Sequence, residues 1–353
     1  EKGHEIKLVV SDGMKEDTTF ATIPVDRAAV YPPNRIAMRF KGVNYCIGIR
    51  FDERVNAPPS ELQMDESLEV IREDLGCNAI KLVGDYEDVM VRCAEKAIRN
   101  GFEMIIVSPR YTHKTSTEDS TIEDHIERVT SFSKRAEELR KQSNAIVLCI
   151  GEELQIDVRG LTNGSTYAKR VEEWSSMDGK TRSLIELRLN SYLSGVVKGV
   201  REHFHGQITY AHSGTLAIQI KWRELEIDIV GPMLYWDRDQ KFFKEKVARY
   251  KIPGKLCIST EFGCQCWKGA MNVSGDAWRW YKGQEYSQEE QAVSITRTME
   301  VYVSIGLDGA FVYIWMKRVT SDVTAYGIVR YYGDGKLLTR KLGFYALQSF
   351  IVS

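Results

Sequence analysis

Ala145-Ile-Val-Leu-Cys-Ile-Gly-Glu-Glu153 is an apolar run that stops on two carboxylates. Unbroken apolar character with β-branched side chains, ended by a glycine, reads as a strand covered on both faces. Strands of that kind belong to parallel sheets with helices packed on them. Lys255-Leu-Cys-Ile-Ser-Thr-Glu-Phe-Gly263 has the same form and closes around Glu261. A carboxylate at the mouth of a buried strand is costly to desolvate, so Glu153 and Glu261 are candidate functional groups as well as strand ends.

Outward from these runs the chain alternates. Strands are expected at Gly42–Ile49, Ala79–Val83, Glu103–Val107, Ala145–Ile150, Gln207–Ala211, Ile227–Leu234, Lys255–Thr260 and Gly309–Trp315. Amphipathic segments fall between them. Thr121–Gln142 carries Ile122, Ile126, Val129, Phe132, Ala136 and Leu139 on one stripe, and Tyr86–Asn100 ends at Gly101, a C′ glycine. Ser287-Gln-Glu-Glu290 reads as a capping box, and Leu216–Leu225 is the weakest helical segment. Eight strand–helix units predict an α/β protein, a (β/α)8 TIM barrel over residues 41–353. A doubly wound open sheet also alternates, but the first strand lacks the Gly-rich turn that such folds use for phosphate. Residues 1–40 stand apart as a β-hairpin extension, with Ile6–Val10 and Thr19–Ile23 alternating about a polar turn.

The totals exclude several classes of function. The 353 residues carry 48 basic and 49 acidic side chains, so no basic excess points to nucleic acid or to an anionic membrane. No apolar run reaches the roughly 18 residues of a membrane span. An odd number of cysteines, seven, most of them inside apolar patterns, argues against a disulfide framework. Cytoplasmic localisation is the expectation, with secretion after loss of a signal segment as the alternative. No metal or organic cofactor is expected, because Cys264-Gln-Cys266 lacks partners at ligand spacing.

Barrel active sites lie at the C-terminal strand ends. The candidates there are Arg50, Asp85, Arg110, Tyr111, Glu152, Glu153, His212, Tyr235, Trp236, Glu261 and Trp315, with Trp267 in the loop beyond. Carboxylates, aromatic faces and a few cations suit a carbohydrate. Glycoside hydrolysis needs two carboxyls across one bond, and the fourth and seventh strands face each other over a barrel mouth.

With these residues in hand, the chain resembles the clan A glycoside hydrolases. More narrowly, Thr260-Glu-Phe-Gly-Cys264, Lys268-Gly-Ala270, Leu307-Asp-Gly-Ala-Phe-Val312 and Ala325-Tyr-Gly-Ile-Val329 are similar to a barrel family labelled abortive-infection proteins. The resemblance spans about residues 41–350. It implies that Glu153 is the acid/base and Glu261 the nucleophile. It further implies that Tyr235 steadies the nucleophile and that Trp315 floors the sugar site. One position departs: the clan has Asn before the acid/base, and here Glu152 stands there. An ionised Glu accepts hydrogen bonds and cannot donate them. It would also raise the pKa of the neighbouring acid.

The expected activity is a retaining glycosidase or transglycosidase acting on a β-linked sugar. A non-catalytic carbohydrate-binding or regulatory barrel is the alternative that Glu152 favours. A lyase working on an acidic substrate through Arg50, Lys81 or Arg110 is the third. Arg50 and Arg110 could equally be paired with Asp85, and His212 could be a satisfied strand-end histidine.

Overall fold

The computed structural model describes residues 4–11, 16–23, 31–49, 57–114, 118–214, 218–236, 240–276, 283–316, 325–331 and 338–352. Eight parallel strands close into a barrel: Phe40–Cys46, Ala79–Gly84, Met104–Pro109, Ile146–Glu152, Gln207–Ser213, Ile229–Met233, Leu256–Phe262 and Gly309–Val312. The eighth strand pairs back to the first, with Gly309 opposite Phe40. The TIM-barrel expectation holds, and each expected strand lies within a few residues of an observed one. His4–Ser11 and Glu16–Ile23 pair antiparallel as the N-terminal hairpin.

Two concentric cores hold the fold. Inside the barrel, Phe40, Met104, Ile106, Val147, Ile258 and Phe311 fill the lower layers. Outside it, the opposite faces of the same strands meet the helices. Helix Ile122–Gln142 buries Val129, Phe132, Ala136 and Leu139 from its expected stripe and is started by Thr121, whose hydroxyl accepts from Asp124 N–H. Helix Glu87–Arg99 ends as its sequence implies. Gly101, at φ +72°, donates to Ile98 O, and Phe102 donates to Ala97 O, the paired bonds of a Schellman motif. Helix Gln288–Ile305 uses only half of the expected box. Ser287 Oγ accepts from Glu290 N–H, while the Glu290 carboxylate caps Met271 N–H instead.

Three helical features depart from the sequence reading. Helix Glu61–Glu69 begins ahead of the amphipathic segment that the sequence suggests at Ser67–Leu75, at a capping box of Ser60 and Gln63. Between the fourth and fifth strands, Leu154–Asp157 and Tyr167–Ser176 precede the long helix Gly179–Arg201. After the fifth strand, the described residues hold turns around Trp222–Glu224 rather than a helix. The bottom of the barrel is tied by Lys41, whose buried Nζ donates to Leu75 O and Phe350 O. Among the described residues no helix is long and apolar enough to cross a membrane, and no group of His, Cys, Asp and Glu is arranged to hold a metal ion. None of the seven cysteines forms a disulfide.

Candidate active site

Both candidate carboxylates owe their direction to a defect in strand register. On the fourth strand Cys149 faces Thr209 but Glu152 faces Ala211, so one extra residue enters there. On the seventh strand the same happens against both neighbours: Ser259 and Phe262 face Ala310 and Val312, and Cys257 and Glu261 face Val230 and Met233. A bulge of one residue swaps the faces of everything beyond it. Val147 and Cys149 point inward. Strict alternation would then bring in Gly151 and turn Glu152 out. The bulge brings Glu152 in.

Inside, Glu152 meets a cation that lies on the second strand. Lys81 Nζ is 2.7 Å from Glu152 Oε1 and 3.2 Å from Glu261 Oε1, and its side chain is wholly buried. Ser108 Oγ donates to the same Glu152 oxygen at 2.6 Å. Tyr235 OH donates to Glu261 Oε2 at 3.2 Å. Burial opposes the charge on all three ionisable groups, and their mutual attraction decides the outcome. Lys81 is held above its ordinary range, since Glu152 and Glu261 outweigh its burial. Lys81 and Arg110 outweigh burial at Glu152 and pull its carboxyl below the ordinary value. Burial, with Glu152 adding to it, keeps Glu261 somewhat raised in spite of Lys81.

Glu153 follows at once and is the one non-glycine residue at positive φ among the described residues, at φ 39° and ψ 41°. A side-chain-bearing residue in that region costs on the order of 1 kcal/mol and persists only where its surroundings fix it. Those surroundings are specific. Glu153 N–H donates to Ala211 O, and its carbonyl accepts from Ile156 and Asp157 N–H as the short helix starts. Tyr210 OH accepts from Leu154 N–H and donates to Gln155 Oε1. The buried Arg170 binds Ile156 O at 2.6 Å and Asp119 Oδ2 at 2.9 Å. The strained turn is thereby locked from the fifth strand and from helix Tyr167–Ser176.

Burial first, then the charges of Asp157 and Glu261, raise the Glu153 carboxyl to about 7, with Ser213 and Arg110 opposing. Asp157 itself takes a two-pronged pair from Arg110, at 2.9 and 3.0 Å. Two expectations change here. Glu152 is engaged by Lys81 and Ser108, and the carboxylate that raises Glu153 next to Glu261 is Asp157. Arg110 pairs with Asp157 rather than with Asp85.

Not all the aromatic and strand-end candidates join the cluster. Tyr235 does, within a trio in which Tyr326 packs edge-on to both Tyr235 and Tyr313, at 6.3 and 5.6 Å between ring centres. Trp315 does not line the mouth. It is wholly buried in the outer core, 6.2 Å from the Phe344 ring, and it is Tyr313, two residues earlier, that senses the Glu261 charge. The strand ends at Val312, so the expected alternation to Trp315 does not apply. Trp236 packs on Phe243 at 5.3 Å in the same outer core. Trp267 is 4 % exposed and donates to Gln265. Tyr111 is 2 % exposed, donates to Glu87 and is covered by Arg128. His212 is wholly buried, with Nε2 against Ile218 O, and burial depresses its pKa to about 4. These five offer no open face to a ligand. Asp85 is buried where the second strand ends. Arg50 lies outside the described residues.

Ser108, Asp157, Ser213 and Tyr313 are members that sequence reading did not place in the site, and Lys81 entered it only in the lyase reading. Lys81 had a signal. In Ala79-Ile-Lys-Leu-Val83 a lysine interrupts a strand that is otherwise apolar on both faces, and such a charge requires a partner.

No family model matches the sequence, and no curated protein matches it. Solved structures do superpose on it. A GH113 β-1,4-mannanase shares 14 % identity at a TM-score of 0.61, over 88 % of this chain and 98 % of that one. The GH113 β-mannanase of Alicyclobacillus acidocaldarius, in complex with ManMIm, gives 12 % and 0.55, over 88 % and 96 %. A family 5 xyloglucanase from Paenibacillus pabuli gives 7 % and 0.56, over 89 % and 98 %. The chain therefore has the barrel scaffold of these clan A glycoside hydrolases. At such identities the likeness is one of fold.

Proposed function

We propose that the protein is a retaining glycosidase, or a transglycosidase, acting on a β-linked sugar. The observation that carries this reading is a pair of carboxyls at the ends of the fourth and seventh strands, in unlike surroundings at one barrel mouth. Glu153, with a pKa of about 7, can hold a proton near neutral pH, while Glu261 sits against Lys81 and Tyr235. Burial raises both carboxyls, but Lys81 opposes the rise at Glu261, and that difference separates acid from nucleophile. Glu261 attacks the anomeric carbon as the glycosidic bond breaks, and Glu153 gives its proton to the leaving oxygen. The covalent glycosyl–Glu261 ester then forms. Glu153, now a carboxylate, takes a proton from water, the water attacks the same carbon, and Glu261 leaves. The mannanase and xyloglucanase neighbours make β-linked plant polysaccharides the first substrates to try, and the resemblance to the abortive-infection barrels is kept as a family reading of the same scaffold.

One observation favours a second reading, a carbohydrate-binding barrel without catalysis. Glu261 is already ion-paired, and Glu152 occupies the position of the clan's Asn. A panel of aryl β-glycosides and a 2-fluoro glycoside inactivator separates the two. A single adduct mapped to Glu261, absent from Glu261→Gln, is the expected result. Absence of both turnover and adduct across the sugar panel would move the assignment to the binding protein.

A further inference from the structure

Lys81 is a buried cation of the cluster to which double displacement gives no task. Its side chain is inside the barrel at a position whose strand partners are Asn44 and Ile106. An isolated ammonium there would be strongly unfavourable, so its environment has to compensate it. The compensation comes from two carboxylates at once. Glu152 Oε1 and Glu261 Oε1 lie 2.7 and 3.2 Å from a single nitrogen, hence no more than about 6 Å from each other. Two carboxylates at that separation in a dry interior do not both stay ionised without a cation between them.

The groups facing the site from every side show how completely this cation is committed. Cys46 ends the first strand. Ser108 and Arg110 come from the third, Cys149 and Glu152 from the fourth. Asp157 comes from the short helix, Ser213 from the fifth strand, and Tyr235 and Tyr313 follow the sixth and eighth. Lys81 and Arg110 are the cations among these described residues. Arg110 is engaged by Asp157. Lys81 is balanced by Glu152, with Ser108 fixing the shared oxygen. Two cations thus face the carboxylates of Glu152, Asp157 and Glu261, and one net negative charge remains, shared between Glu152 and Glu261 around Lys81.

We propose that Lys81, with Glu152 as its fixed counter-ion, is a positioning residue that decides where the proton of the three-carboxylate cluster resides, keeping it on Glu153 and off Glu261. The proposal rests on the glycosidase reading of those two residues. It also gives the departure at Glu152 a task. A lysine beside Glu261 alone would over-stabilise the nucleophile's charge, and Glu152 divides that cation's field between two acceptors.

The test is a titration that does not depend on turnover. Glutamate carboxyl 13C resonances of the full chain are followed against pH in wild type, Lys81→Met, Glu152→Gln and the double variant, with Glu261→Gln assigning the signal. Lys81→Met should raise the Glu261 midpoint by about 1 to 3 pH units. Glu152→Gln should lower it. The double variant removes equal and opposite charges, so it folds without a buried unpaired ion and should return the midpoint toward wild type. The acidic limb of kcat/KM on an aryl glycoside should move in the same order. A Glu261 midpoint unmoved by Glu152→Gln, or a double variant displaced beyond both singles, overturns the proposal. If the titration shifts as stated and no glycoside is turned over, the charge-setting role of Lys81 stands and the glycosidase reading alone falls.

Discussion

Glu153→Gln should make the protein more stable above neutral pH while removing its activity. The carboxyl is raised from the ordinary 4.5 to about 7 in the fold. The sign follows from proton counting. Between those two values the folded state keeps a proton that the unfolded chain has released. The native state therefore has its full stability below about pH 4.5, loses it as pH rises through about 7, and above that carries the whole penalty. A gap of about 2.5 units corresponds to at most about 3.4 kcal/mol. Glu153 is partly exposed, so water screens the effect and about 1 to 2 kcal/mol is expected. Glutamine keeps the shape and the left-handed backbone cost, so the difference isolates the charge. For a chain of this length 1 kcal/mol moves Tm by roughly 1.3 °C. Differential scanning calorimetry of both proteins should give nearly equal Tm near about pH 4.5, with the variant ahead by about 1 to 3 °C at about pH 8.5. Activity on an aryl glycoside should fall by about 10²- to 10⁴-fold. A Tm offset that stays the same at every pH would show that Glu153 titrates normally in the fold, and its assignment as proton donor would be lost.

Three further outcomes test the rest of the cluster. Asp157→Asn removes a charge that raises Glu153 and frees Arg110, which lowers it, so the alkaline limb of kcat/KM should move down by about 1 pH unit. Tyr235→Phe deletes the hydroxyl that Glu261 Oε2 accepts, and kcat/KM should drop by about 10- to 100-fold with the circular dichroism spectrum unchanged. Trp315→Phe opens a void beside Phe344 and should cost about 1 to 3 kcal/mol in urea unfolding, yet leave KM as it was, since Trp315 presents no face to the site.

The barrel was legible because its signal is collective. Eight apolar runs with helices between them need no single boundary to be right, and a few residues of error at each strand leave the closed sheet intact. Glu153 and Glu261 were legible for a related reason: a carboxylate that ends a buried strand is conspicuous in any register. Tyr235 points at Glu261 as expected, but other assignments that depend on the direction of one side chain failed. Trp315 was expected inward by extending the eighth strand past Val312, where the strand had already stopped. Tyr111 and Trp236 follow strand ends and His212 is the penultimate residue of its strand; all three were assigned to the mouth by position, although each is buried away from it. Arg110 had an acidic substrate group or Asp85 as its candidate partners, but Asp157, which it pairs, lies on a four-residue helix that no periodicity reveals. The bulges are invisible in the same way, because an inserted residue leaves composition and pattern length unchanged.

The bulges, the strained turn and the buried lysine belong to one construction problem. A regular fourth strand could present Glu152 or Glu153 to the barrel interior, never both, because adjacent residues face opposite ways. The extra residue before Glu152 admits the first carboxylate, and the left-handed turn at Glu153, held by Tyr210 and Arg170 through the short helix, sets the direction of the second. Each device costs stability. The bulge gives up ladder hydrogen bonds, the turn stores strain, and two adjacent carboxyls near Glu261 would repel. Lys81 removes the last of these costs for Glu152 and leaves it in place for Glu153. That asymmetry is why one carboxyl of the pair is held ionised while its neighbour is raised to about 7. A fold under selection for stability alone has no need of two neighbouring carboxyls in opposite states, whereas a site that must deliver a proton to one atom and negative charge to another has to build that difference from its own residues.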